Sequence, residues 1–173
     1  MPTVETATVY PGGCLIEGSE LSEGRGQTRP FEVWGAPGLE GAHLAEGLHI
    51  PGAQLRALRF IPTFHKHAGE LCGGVQVHVT DVARFRSYSA YQRLIARSRE
   101  LLGEAFSWRR KAYEFVEDIP AIDLLTGGPE FREHVDAGRD IADLLELDRQ
   151  GAEAFRERRE PWLLYTRSKA TSA

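Results

Sequence analysis

Gly74-Val75-Gln76-Val77-His78-Val79-Thr80 decides the fold of this chain. Valine alternates with another residue at every second position. Successive strand side chains point to opposite faces, so the spacing predicts a β-strand with one face in a core and the other polar. Just downstream, Tyr88, Tyr91, Leu94, Ile95, Leu101 and Leu102 recur at helical spacing, which predicts an amphipathic helix over 88–102 ending at Gly103. A half-covered strand next to such a helix points to an α+β domain, a small sheet covered by helices.

Upstream, residues 57–64 have extended character, with Leu58 and Phe60 on one side and Ala57 and Ile61 on the other, although Pro62 weakens the later part. Residues 39–49 carry Ala42, Leu44, Ala45 and Leu48 on one helical face before the stop signals Pro51 and Gly52. Residues 30–34 read as an extended segment closed by Gly35 and Pro37, and Cys14, Leu15 and Ile16 as a small apolar anchor. A short helix over 3–9 is capped by Thr3 and ended by Pro11, because proline disfavours the helical conformation of its predecessor.

Downstream, Phe106, Trp108, Tyr113 and Phe115 lie in a less regular stretch. A short helix over 120–125 is stopped by Gly127 and Gly128, and Pro129 opens another that ends at Gly138. Asp140 caps a longer one with Ile141, Leu144, Leu145, Ala152 and Phe155 on its stripe, running to Pro161. Trp162, Leu163, Leu164 and Tyr165 call for burial. Strands therefore fall mainly in the first half and helices in the second, residues 2–165 are expected to form a single α+β domain, and 166–173 a flexible tail.

The chain has 173 residues and a formal net charge of -4, from 21 basic and 25 acidic residues, so no overall positive field draws it to nucleic acid or an anionic membrane. No run approaches the length of a membrane span, and the N-terminus lacks a basic region followed by an apolar core. The default expectation is a cytoplasmic protein, exported if it is part of a longer precursor. Cys14 and Cys72 are too few for a disulfide framework; they read as buried thiols, with one long-range bridge left open.

Chemistry concentrates in residues 17–32, Glu-Gly-Ser-Glu-Leu-Ser-Glu-Gly-Arg-Gly-Gln-Thr-Arg-Pro-Phe-Glu. Gly18, Gly24, Gly26 and Pro30 oppose regular structure and predict an exposed loop. Arg25, between Gly24 and Gly26, can approach a ligand uncrowded, with Arg29 four residues on, an arrangement suited to an anion. Alternatively Glu17, Glu20, Glu23 and Glu32 pair with both arginines in a self-satisfied network. Nucleotide motifs fail: Ser19 stands where a phosphate loop needs lysine, and Gly24-Arg25-Gly26 lacks the third glycine of a dinucleotide fingerprint. No cofactor is expected.

His65, Lys66 and His67, with Glu70, Cys72 and His78 following, form the only cluster that suggests a metal, but their spacing matches no zinc signature, and an extended backbone would turn His65 and His67 to opposite faces. They read instead as a polar loop between two strands that adds positive charge and lines a pocket, with no metal. Glu17, Glu23 and Glu70 are the candidate carboxylates for glycoside chemistry, or else arginine partners and helix-end charges. No nucleophile elbow is present.

Tyr10-Pro11-Gly12, Cys14-Leu15, Glu17-Gly18, Leu21-Ser22, Gly24-Arg25-Gly26, Arg29-Pro30-Phe31-Glu32 and Gly35-Ala36-Pro37 together resemble the C-terminal part of the NamZ-like exo-β-N-acetylmuramidases, long catalogued as a bacterial domain of unknown function. Pro62-Thr63-Phe64, Lys66, Gly69, Cys72-Gly73-Gly74-Val75, Thr80-Asp81 and Leu163-Leu164-Tyr165 extend the resemblance over nearly the whole chain. Gln27, where the family tends to have threonine, and residues 55–59 depart from it.

The resemblance implies a glycoside hydrolase of peptidoglycan turnover that removes terminal N-acetylmuramic acid. It further implies two-part proteins with a cleft between a Rossmann-like domain and a smaller α+β domain. Residues 1–7 resemble the hand-over between the parts. The large domain is thus expected to be absent from this chain, its catalytic carboxylate with it, and no catalytic residue is carried over. Arg25, supported by Arg29, is then expected to face the cleft and take the lactyl carboxylate of a muramyl sugar, among Glu17, Glu23, Gly24, Gly26, His65, Lys66 and His67. The leading expectation is an accessory, substrate-cleft domain, inactive alone, that either works with a separately encoded Rossmann-like domain or is a truncated product. A stand-alone binding module for muramyl sugars or another anion is the alternative, and a metal-dependent hydrolase using His65, His67 and Cys72 a third.

Overall fold

The computed structural model describes residues 1–165; the tail expected over 166–173 lies outside them. They fall into two compact units, Met1–Ile141 and a second that begins at Ala142. The class is α+β, with the strands in the first half of the chain and most of the helices after them.

The first unit is built on three antiparallel strands, β1 (Val33–Ala36), β2 (Ala53–Phe60) and β3 (Cys72–Val79), in the order β1-β3-β2. The alternating stretch is thus the central strand, with Val75 and Val77 at most 1% exposed. Its opposite face is less polar than the alternation predicts. Gln76 is buried because the register sets it directly across from Arg56, whose Nη2 donates to the amide oxygen at 2.6 Å. Phe60, at the end of β2, packs with Val33 and Cys72, and Leu58 lies against them.

The helix expected beside the sheet is α3 (Ser87–Leu102), closed by Gly103 at φ +54. Its buried side places Tyr91, Leu94 and Ile95 in the core, with the Tyr91 ring 6.2 Å from that of Trp34 on β1. The Tyr91 hydroxyl donates to the Phe31 carbonyl at 2.6 Å. Such a bond leaves the phenol satisfied inside an apolar core.

The first helix, α1 (Val4–Gly13), is capped as expected, Thr3 Oγ1 accepting from the Thr6 N–H at 3.1 Å. It does not stop at Pro11. Proline cannot donate to the Ala7 carbonyl, but Ser87 at the start of α3 braces the turn that follows, its hydroxyl accepting from the Gly12 N–H at 2.8 Å and donating to the Val9 carbonyl. That brace comes from a residue far away in sequence. It needs close approach, since a Cβ on Gly12 would collide with the Ser87 backbone.

Other boundaries shift for local reasons. Phe31 sits at φ +69, so 30–34 bends before β1 instead of extending. The helix expected over 39–49 shrinks to α2 (Gly41–Ala45), because Glu46 is already extended at ψ 127 and Gly47 turns at φ +73. Strand β2 begins earlier than expected and ends at Phe60, before Pro62. Helices α4 (Ala121–Thr126) and α5 (Glu130–Asp136) lie where expected, followed by Gly127 at φ +84 and Gly138 at φ +63, with Pro129 at the cap position of α5. Cys14 and Cys72 are free thiols, and burial pushes that of Cys72 up to about 11.

Helix α6 (Ile141–Arg159) supplies most of the second unit, followed by a 3-10 turn over Glu160–Trp162. Arg149 pairs with Glu146 at 2.7 Å and Glu153 at 2.6 Å along its exposed surface. The expected stripe continues only through Leu144 and Leu145; Ala152 and Phe155 are exposed. Trp162, Leu163, Leu164 and Tyr165, expected to be buried, are exposed as well, three of them above 80%. A unit made of one helix and a turn offers no second layer to bury them against.

The Ser87 brace is testable. Ser87→Ala leaves the Gly12 N–H and Val9 carbonyl without this partner, and is expected to lower stability by about 1–3 kcal/mol in urea denaturation. An unchanged midpoint would show that α1 carries Pro11 without help.

Candidate functional site

The glycine-rich loop spans the chain between a 3-10 turn (Cys14–Gly18) and β1. Gly24 and Gly26 take φ +65 and +83; a Cβ would drive the first into the Val33 carbonyl and the second into Thr63. The glycines therefore do more than clear space around Arg25. They let the loop lie against the sheet and against the segment joining β2 to β3.

Arg25 is anchored on one side. Its Nη2 donates to Glu17 Oε1 at 2.6 Å, and its guanidinium carbon lies 5.4 Å from the centroid of the Phe31 ring. The Arg25 Nε is buried without a hydrogen-bond partner, 3.9 Å from Glu23 Oε1. Glu17 accepts at its other oxygen from the Tyr113 hydroxyl at 2.9 Å. Burial and this bond raise the phenol well above its ordinary value, which keeps Tyr113 a donor.

Arg25, Glu17 and Gly26 line an open cleft of about 300 Å³ together with Met1, Pro2, Tyr10, Pro30, Phe31 and Phe64. Tyr10 and Phe31 meet edge to face at 4.9 Å. Aromatic walls with one held cation are the usual make-up of a small-ligand site.

Arg29 does not join them. It turns to Glu32 at 3.1 Å, and this buried carboxylate also accepts from the Thr6 hydroxyl at 2.5 Å, so Arg29 belongs to a network that holds the start of α1. Both arginines are thus ion-paired, but only Arg25 is among the cleft residues.

The segment between β2 and β3 is a turn, with His65 at φ +63 and His67 at φ +56, so the extended backbone that would set the two histidines on opposite faces does not occur. Lys66 is largely covered by the loop, its side chain 12% exposed. Its ammonium lies 3.0 Å from Glu23 Oε1, 3.1 Å from the Ile16 carbonyl and 2.8 Å from the Leu21 carbonyl. Burial lowers its pKa, while Glu23 works in the opposite direction. Glu23 and Lys66 consequently brace the cleft from behind, along with Gly24. His67 Nε2 lies 2.8 Å from the Glu20 carbonyl, and His65 stacks edge-on against Phe64 at 5.1 Å. Among the described residues no group of three or more His, Cys, Asp or Glu is placed to hold a metal ion, so His65, His67 and Cys72 do not form a ligand set.

Sequence spacing did not reveal Tyr10, Phe64 or Tyr113 as parts of the site. Tyr113 reaches Glu17 across 96 positions, and no local pattern signals such a contact.

Comparison with known proteins agrees with this architecture. The family model described as "Exo-beta-N-acetylmuramidase NamZ, C-terminal" matches residues 8–165. The "Peptidoglycan beta-N-acetylmuramidase NamZ" of Bacillus subtilis (strain 168) is 38% identical over 168 residues, covering 95% of this chain and 39% of that protein. A DUF1343 family protein from Bacteroides fragilis NCTC 9343 superposes with a TM-score of 0.76 at 24% identity, over 92% of this chain and 42% of the other. A second from the same strain gives 0.60 at 22% identity, over 96% and 42%. The chain spans about two fifths of the length of each of these proteins.

Removing the brace should separate packing from pairing. Lys66→Met leaves the buried Glu23 carboxylate with only the more distant Arg25 Nε, at 3.9 Å, and is expected to cost about 3–5 kcal/mol, much of it restored when Glu23→Gln is added. A urea double-mutant cycle with no coupling between the two changes would show that Lys66 does not brace the loop through Glu23.

Proposed function

The chain belongs to the family of C-terminal domains of the exo-β-N-acetylmuramidase NamZ, and on that footing we propose that it is the substrate-cleft half of a two-part peptidoglycan-turnover glycoside hydrolase. In this reading residues 2–165 supply binding, and the catalytic carboxylate comes from a Rossmann-like domain that completes the cleft. The ligand is a terminal N-acetylmuramic acid, whose lactyl carboxylate meets Arg25. Hydrolysis is not expected of this chain alone.

One observation carries the reading: a single guanidinium at an aromatic cleft, fixed through Nη2 by Glu17 and seated on Phe31. A guanidinium held on one side is pre-organised to take a carboxylate on the other, with little side-chain entropy left to lose. Glu17 has both oxygens engaged, by Arg25 and Tyr113, which suits a positioning group rather than a proton donor.

Calorimetry with the 173-residue chain tests the assignment, using N-acetylmuramic acid and N-acetylglucosamine, which lacks the lactyl group. The acid sugar is expected to bind more tightly, and Arg25→Ala to remove that preference, a loss of about 10- to 100-fold. Undiminished preference in the variant would overturn the role of Arg25; lost stability with intact affinity would make Arg25 an ion-pair residue only.

A further inference from the structure

The backbone of Tyr113 and Val116 is joined by reciprocal hydrogen bonds, N–H to carbonyl, of 3.0 and 2.9 Å, closing a two-residue turn. Its central residues, Glu114 and Phe115, both lie in the left-handed region, at φ +47 and +68. Turns of this kind favour Asn-Gly, because a Cβ is strained there, most of all beneath a bulky side chain. This chain places phenylalanine at the second position and leaves it 100% exposed. The core does not use the ring and the turn opposes it, so its presence here calls for another cause.

The turn is tied to the cleft. Tyr113 donates to Glu17, a cleft residue, at 2.9 Å, and the Arg109 guanidinium sits 5.2 Å over the Tyr113 ring while its Nη2 donates to the Ala112 carbonyl at 2.9 Å. The Arg109 N–H in turn donates to the Gly18 carbonyl at 3.0 Å, next to Glu17. Phe115 follows Tyr113 by two residues, so its backbone lies within about 7 Å of that of Tyr113, whose hydroxyl bonds the cleft residue Glu17.

Resting on the reading of the cleft as an acid-sugar site, we propose that this turn is a platform for the next sugar of the ligand, with Phe115 stacking on the pyranose that follows the terminal N-acetylmuramic acid. A pyranose face presents C–H groups that match the negative face of an aromatic ring, and its hydroxyls point outward to polar neighbours. The local sequence suits a sugar: Arg110, Lys111, Glu114, Glu117 and Asp118 lie within five positions of Phe115, whereas the centre of a protein interface is depleted of charge. A single rigid ring among charges can hold one sugar face without exposing a contiguous apolar patch.

The experiment compares N-acetylmuramic acid with the disaccharide N-acetylmuramyl-N-acetylglucosamine on the 173-residue chain and its Phe115→Gly, Phe115→Leu and Phe115→Tyr variants. Phe115→Gly relieves the turn, so it is expected to fold at least as stably as the parent. It should bind the disaccharide about 5- to 10-fold more weakly and the monosaccharide unchanged. Phe115→Tyr should keep disaccharide affinity and Phe115→Leu lose it. Disaccharide affinity that is unchanged in Phe115→Gly, while the monosaccharide still depends on Arg25, overturns the platform and leaves the cleft reading intact. Parental affinity in Phe115→Leu also overturns it, marking the ring as a generic apolar contact such as a partner domain would use. Binding of neither sugar removes the cleft reading and the platform with it.

Discussion

A largely covered ammonium holds this site together. Lys66 reaches from the turn between β2 and β3 to the Glu23 carboxylate and to the carbonyls of Ile16 and Leu21. A desolvated cation is costly unless its hydrogen-bonding capacity is met, and these acceptors come from the 3-10 turn and the glycine-rich loop together. The arrangement exists only when turn, loop and sheet are all in place. It makes an otherwise irregular loop as determinate as a strand.

That determinacy is what the cleft needs. Arg25 can be a specific anion contact only if its guanidinium does not wander, and Glu17, Phe31 and the braced loop hold it. Glu17 is itself held by Tyr113, whose strand-like pairing with Val116 comes from a distant part of the chain. Arg29, four residues away, serves α1 instead through Glu32 and Thr6. Two arginines that look equivalent in a glycine-rich run therefore have different places, one lining the cleft and one in the network that holds α1.

Features written at short range were legible. The alternation of residues 74–80, the helical stripe that became α3, the Thr3 cap and the glycine stops after α4 and α5 each depend on neighbours a few positions apart. Contacts across the chain were not legible. Pro11 should end a helix, yet the helix runs on to Gly13, where Ser87 from 75 positions away accepts from the Gly12 N–H. Gln76 should face water, and is buried because Arg56 lies opposite in the register. The apolar run at 162–165 was expected inside, yet burial requires a second layer as well as apolar side chains, and the unit it belongs to is little more than one helix. In the site, Arg25, Glu17 and Gly26 could be named from the glycine spacing, whereas Tyr10, Phe64 and Tyr113 enter only through tertiary packing.

The most direct measurement is a crystal structure of this chain grown with N-acetylmuramic acid. The expected result is the sugar in the cleft among Tyr10, Phe31 and Phe64, its lactyl carboxylate within about 3 Å of the Arg25 guanidinium while Glu17 still holds Nη2. A sugar bound elsewhere, or one in the cleft with its carboxylate turned to solvent and Arg25 bonded to Glu17 alone, would contradict the assignment of Arg25 as the group that recognises the acid.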